Sequence, residues 1–155
     1  MPAAVDTTSL ERLVESWDAL VQRFPQEKRS ALAEMGADLL RKVRGEIGGT
    51  GKVAGWQVPH VGSGGGYVAV RAKASTYQTT KGGKRYAVGY ISKAVEGGHK
   101  IRKHQGGKGY RSRVNVAAVP GRWSYDAVRR QLAGMSQEDV DALMTLITDG
   151  LEGRL

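Results

Sequence analysis

The sequence predicts an α+β fold, with amphipathic helices at the N-terminus, a central antiparallel β-sheet with long loops, and helix again at the C-terminus. Three observations lead there. Apolar residues recur at spacings of three and four near both ends of the chain. The middle holds short β-prone runs separated by glycine clusters. No connection between those runs reads as long enough or helical enough for a parallel crossover, so strands there should pair antiparallel.

The first helix opens at Thr8, with Glu11 at capping-box spacing. Leu10, Leu13, Val14, Trp17, Leu20, Val21 and Phe24 then share one face. Pro25 either ends that helix or opens the next. A second helical pattern runs from Gln26 to Ile47 through Leu32, Met35, Leu39, Leu40 and Val43, and Gly48-Gly49-Thr50-Gly51 stops it. The two segments form either a hairpin or one kinked rod. These stripes read first as core, because helical apolar spacing usually reports burial.

Strand signals follow at Trp56-Gln57-Val58 and Tyr67-Val68-Ala69-Val70-Arg71, with Gly62-Ser63-Gly64-Gly65-Gly66 as the turn between them. Tyr77–Thr80 and Tyr86–Ile91 flank Lys81-Gly82-Gly83-Lys84-Arg85 and read as a second hairpin. Val114–Val119 is the last strand signal. Ser124 can open a short helix through Arg130, and Ser136-Gln137-Glu138-Asp139 starts another, with Val140, Leu143, Met144, Ile147 and Leu151 on its apolar face. The expected organisation is a single domain over residues 1–155, with helices at about 8–47, strands and loops at about 53–119, and C-terminal helices at about 124–151.

Composition narrows the function. The 155 residues carry a net charge of +9, which favours an acidic partner such as nucleic acid, an anionic membrane or an acidic protein surface. With no cysteine, disulfides, thiolate chemistry and cysteine-ligated metal are excluded. No run approaches the roughly 18 apolar residues of a membrane span. The opening Met1-Pro2-Ala3-Ala4-Val5-Asp6 lacks the features of an export signal, so a soluble, non-exported chain is expected.

No constellation for chemistry stands out. His60, His99 and His104 lack the ligand spacing of a zinc site, and the last two sit among repelling cations. Ser63 and Ser112 have no nucleophile elbow or His–Asp partner in the sequence. Gly62–Gly66 is not followed by Gly-Lys-Ser/Thr, so it reads as a turn and not as a phosphate loop. The expectation is therefore a non-enzyme without cofactor or metal.

Two features point to contact. The glycine-rich stretch 98–113 carries Lys100, Arg102, Lys103, Lys108, Arg111 and Arg113 with no acid, and Tyr110 can stack on a base or sugar. Such a loop suits either an acidic protein surface or the DNA backbone. Pro120-Gly121-Arg122-Trp123 then reads as a strand-to-helix corner with Trp123 plugging the core, and Arg122 and Trp123 are also residue types favoured at interface anchors.

At these segments the sequence resembles the small neck or tail-completion proteins of long-tailed bacteriophages. That family pattern has a helical start and a strand ending in an acidic residue and glycine. A loop of variable length then leads to a Pro-Arg-aromatic corner and a helix. The matching pieces are Tyr90–Ile101, with Glu96-Gly97-Gly98, and Val116–Tyr125, with Pro120-Gly121-Arg122-Trp123. Trp123 stands where phenylalanine is commoner, and Gly106-Gly107 marks a glycine-rich insertion. The resemblance spans mainly Leu32 to Arg130.

It implies a structural virion protein, present in the host cytoplasm during assembly, that closes into a ring of six or twelve copies. The ring would join portal or adaptor proteins on the head side to the tail terminator or tail tube, around the DNA channel. Glu96, Arg122 and Trp123 would serve as interface or corner residues. The basic loop would reach a neighbour, an acidic partner ring, or the DNA in a sequence-independent way. The alternative from the residues alone is a small non-specific DNA-binding protein using the 98–113 loop.

Overall fold

The computed structural model describes residues 7–49, 51–99, 118–132 and 137–155. It shows an α+β chain in the order α1 (Thr8–Ile47), α2 (Lys52–Gly55), β1 (Gln57–Val61), β2 (Val68–Ala72), β3 (Tyr77–Thr79) and β4 (Arg85–Ala87). Then come α3 (Val88–Gly97), β5 (Gly98–His99), β6 (Val119–Pro120), α4 (Ser124–Gln131) and α5 (Gln137–Leu151). The strands pair two by two: β1 with β2, β3 with β4, β5 with β6. The chain divides into two compact units. One is Met1–Asp38, Pro59–Ala69 and Gln131–Leu155; the other is Leu39–Val58 and Val70–Arg130.

The Pro25 question resolves as one helix of 40 residues, with Pro25 inside it. Proline cannot donate to the carbonyl four residues back, so one internal bond is lost, and the long apolar pattern on either side outweighs that loss. At the start of this helix Thr7 Oγ1 donates to Glu11 Oε1 at 2.9 Å.

In the first unit, α1 and α5 approach closely through small residues. Ser16 is fully buried and donates to the Gly150 carbonyl at 3.0 Å, while Leu155 N donates to Ser16 Oγ at 3.2 Å. A methyl group on Gly150 would stand 2.6 Å from Leu20 Cδ2. Gly36 does the same service toward the first hairpin, since a Cβ there would meet Val68 Cγ2 at 2.9 Å. The hairpin turn itself closes with Gly62 N donating to Tyr67 O at 2.9 Å.

The second unit is built around Val43, Ile47, Val53 and Val128, with Leu39, Trp56, Val70, Val95 and Tyr125 packed against them. The core is aliphatic, as the low aromatic content suggests. Helix α1 ends at Gly48, whose φ of +56° favours glycine. Helix α2 is an addition that the glycine-rich composition around it concealed.

One expected strand is corrected. Of the 86–91 run only Tyr86 and Ala87 are strand, with Arg85 before them, and Val88–Gly97 is helix. Val88, Ser92 and Val95 lie at helical spacing, and the first two are buried. A short apolar run is ambiguous between the two states, and here burial along one helical face decides it. For the same reason the acidic residue and glycine at 96–97 close a helix, not a strand. Of the 114–119 signal, Val119 belongs to β6 and residues 114–117 lie outside the described residues.

Candidate functional site: a polar corner and its charged surroundings

The end of α3 and the start of α4 interlock through backbone. Arg122 N donates to Val95 O at 3.1 Å, and Trp123 N donates to Glu96 O at 3.2 Å. Strands β5 and β6 pair Gly98 with Pro120 and His99 with Val119. The contact is too close for side chains: a Cβ on Gly98 would meet Val119 O, and one on Gly121 would meet Glu96 O. This explains why glycines occupy both positions.

Glu96 completes the corner. Its two carboxylate oxygens accept from Ser124 N at 2.9 Å and Tyr125 N at 2.7 Å. A helix N-terminus leaves such N–H groups without internal partners, and a carboxylate there also meets the positive end of the helix dipole. Glu96 therefore caps α4 from a distant point in the chain. Arg122 does the reciprocal task at the far end of α1, its Nη1 donating to Ile47 O at 2.9 Å.

Trp123 behaves differently from the expected core plug. It is 52% exposed and holds a φ of +54°, a left-handed conformation that costs a non-glycine residue roughly 1–2 kcal/mol. The tight turn from β6 into α4 imposes the angle and turns the indole outward. The structure thus brings Glu96, Arg122 and Trp123 together: the first two hold the corner, and the third is displayed by it.

Beneath the corner lies a polar network that sequence reasoning passed over. Gln57 is fully buried, its Nε2 donating to Val53 O at 3.0 Å and to Ser92 Oγ at 3.2 Å. Tyr125 donates its hydroxyl to Gln57 Oε1. Arg44 Nη2 donates to the Gln57 carbonyl at 3.0 Å. Burial first, and the Glu96 charge second, push the Tyr125 hydroxyl above its ordinary value. Every polar atom named here has a partner, so the network reads as structural. Gln57 sat between Trp56 and Val58 in a strand signal; only its inward register, invisible in one short run, marks it.

Around the corner the surface is aromatic and basic. Tyr86 and Tyr90 stack with centroids 6.3 Å apart and planes at 19°. Arg85 lies over Tyr77, its guanidinium carbon 4.7 Å from the ring centroid. Two grooves border Tyr90. One of about 840 Å³ includes Val70, Arg71, Lys93, Glu96 and Tyr125 in its lining. The other, of about 510 Å³, is walled by Tyr86, Tyr90, Ile91, Val95, Val119 and Pro120.

Charge is strongly segregated. Not one Asp or Glu lies between Glu46 and Glu96 in the sequence. Among the described residues, the second unit holds thirteen Lys/Arg against three Asp/Glu, a net +10. The first unit holds five against eleven, a net −6.

The loop residues Lys100, Arg102, Lys103, Lys108, Tyr110, Arg111 and Arg113 lie outside the described residues, as do His104 and Ser112. Among the described residues no cluster of His, Asp and Glu could hold a metal ion, and no helix is long and apolar enough to cross a membrane. No protein-family model, curated protein or solved structure matches the chain.

Proposed function

We propose that this chain is a structural, non-enzymatic subunit of a tailed-bacteriophage neck, a ring component joining the head side to the tail tube around the DNA channel. The observation that carries this reading is the corner. The two short segments on which the resemblance rests, Glu96-Gly97-Gly98 and Pro120–Tyr125, are far apart in sequence yet interlock through Glu96, Arg122 and the paired glycines. The first segment closes helix α3 where the family pattern has a strand, and the interlocking of the two segments is what supports the reading. The outward Trp123 and the displayed tyrosines supply surface suited to protein contact.

The test is imaging of phage particles assembled without the chain, beside the purified protein. Filled heads with separate tails are expected, with rings in the pure sample. Normal virions from a deletion strain would sink the reading.

The excess of cations in the second unit favours a second reading, a small DNA-binding protein that belongs to no particle. Charge reversal at Lys100, Arg102, Lys103 and Arg111 separates the two. Loss of DNA affinity with assembly intact supports the second reading. Loss of head–tail joining in a protein with no measurable DNA affinity supports the first.

A further inference from the structure

The apolar face of α1 is wider than its neighbour covers. Leu13, Ser16 and Leu20 turn toward α5, as the contacts of Gly150, Gly153 and Leu155 require. Leu10, Val14, Trp17 and Val21, at spacings of four, three and four, form a second stripe beside them that stays in solvent. Leu10 is 60% exposed and Val21 71%. Such a row covers about 16 Å of helix. On its other side run Glu11, Glu15 and Asp18, each one residue beyond a stripe member and all exposed. The stripe is therefore edged by acid.

The second unit offers the complement. The groove walled by Tyr86, Tyr90, Ile91, Val95, Val119 and Pro120 is apolar, and Thr80 and Arg122 also line it. Thr80 opens the β3–β4 turn, which Thr80 N and Lys84 O close at 2.9 Å. That turn carries Lys81 and Lys84, and Arg85 begins the next strand. Apolar walls that include Arg122, and that adjoin a basic turn through Thr80, match the chemistry of an apolar stripe edged by acid.

We infer that the α1 stripe of one copy docks in the Tyr86–Tyr90 groove of the next copy, in a head-to-tail contact. This rests on the proposed reading that copies of the chain associate, and it names the surfaces that would do so. Self-pairing of the stripe is disfavoured, because Glu11, Glu15 and Asp18 would meet their own counterparts across a twofold axis. Pairing unlike surfaces instead sets the net −6 unit against the net +10 unit of a neighbour. Contacts of this type propagate, and they close when the rotation per copy permits.

Two full-length variants test it in sedimentation velocity. One carries Glu11→Lys, Glu15→Lys and Asp18→Lys; the other carries Lys81→Glu, Lys84→Glu and Arg85→Glu. All six positions are exposed, and retention of circular dichroism and melting temperature verifies folding. The wild type should sediment as an oligomer. Each variant alone should associate more than about tenfold more weakly, and an equimolar mixture should recover assembly, because each then meets a surface of opposite sign. A third variant, Val21→Ser, should weaken association without changing its salt dependence.

Wild-type oligomers that persist in both charge variants overturn this contact and leave a ring built by other surfaces. A mixture of folded variants that stays monomeric overturns it as well. A wild-type monomer at every concentration removes the ring itself. Loss of duplex-DNA binding in the Lys81/Lys84/Arg85 variant, with its oligomer unchanged, reassigns that groove to nucleic acid.

Discussion

At the scale of single residues, Glu96 is the most informative side chain in the described structure, because one carboxylate closes two backbone positions far along the chain. Glu96→Ala should cost about 1–2 kcal/mol in urea unfolding, the usual effect of removing a helix cap. A variant as stable as wild type would mean that water caps α4 equally well. Trp123 makes the opposite forecast. Trp123→Gly relieves the left-handed backbone and should hold or raise stability by up to about 1 kcal/mol while weakening assembly. A large loss of stability would show that the indole is packed. Tyr125 ties the network to pH. Its pKa in the folded protein is raised, so folding is favoured fully below about pH 10, the unfolded value, and this contribution disappears as pH rises through the folded value. Tyr125→Phe should flatten the alkaline limb of the stability profile, followed by thermal melts from neutral to alkaline pH.

At the scale of elements, the sequence made the terminal helical segments legible, left their joints open, and hid α2 and α3 among strand and turn signals. Leu10 through Phe24 showed a broad apolar face, but periodicity cannot tell a face covered by the same chain from one left for another. The close approach at Gly150 draws that line, because it fixes which side of α1 meets α5. Gly150→Ala should therefore destabilise by about 1–3 kcal/mol despite alanine's better helix propensity, since Leu20 has to move. An unchanged unfolding midpoint would mean that the two helices part easily. Pro25 tests the long helix: Pro25→Ala restores an internal hydrogen bond and should stabilise by about 2 kcal/mol in urea unfolding. Destabilisation would show that packing needs the proline's geometry. The 86–91 run misled for a definite reason. Its tyrosines, valine and isoleucine suit a strand, and only the burial of Val88 and Ser92 on one side selects a helix.

At the scale of the whole molecule, charge is the organising quantity. The overall +9 hides a described net of −6 in one unit and +10 in the other. A mean charge suggests a general attraction to anions, whereas this division suggests a molecule that can attract its own kind. Duplex DNA should still be retained weakly and without sequence preference at about 50 mM salt and released by about 200 mM, as counterion release requires. Retention that survives the higher salt, or that depends on sequence, would indicate a dedicated DNA reader.

The sequence by itself determined the α+β class, the positions of the terminal helices and the turn-rich middle, because those follow from local periodicity and from glycine's backbone freedom. It also marked Pro120-Gly121-Arg122-Trp123 as a corner from local residue types, and joined Glu96 to it only through the resemblance. The tertiary structure alone decided that Gln57 is buried, that Trp123 faces outward, that Val88–Gly97 is helical, and which half of the α1 stripe is left open. Each of these depends on what lies across space from a residue, and a contact between distant segments leaves no periodic trace in either of them.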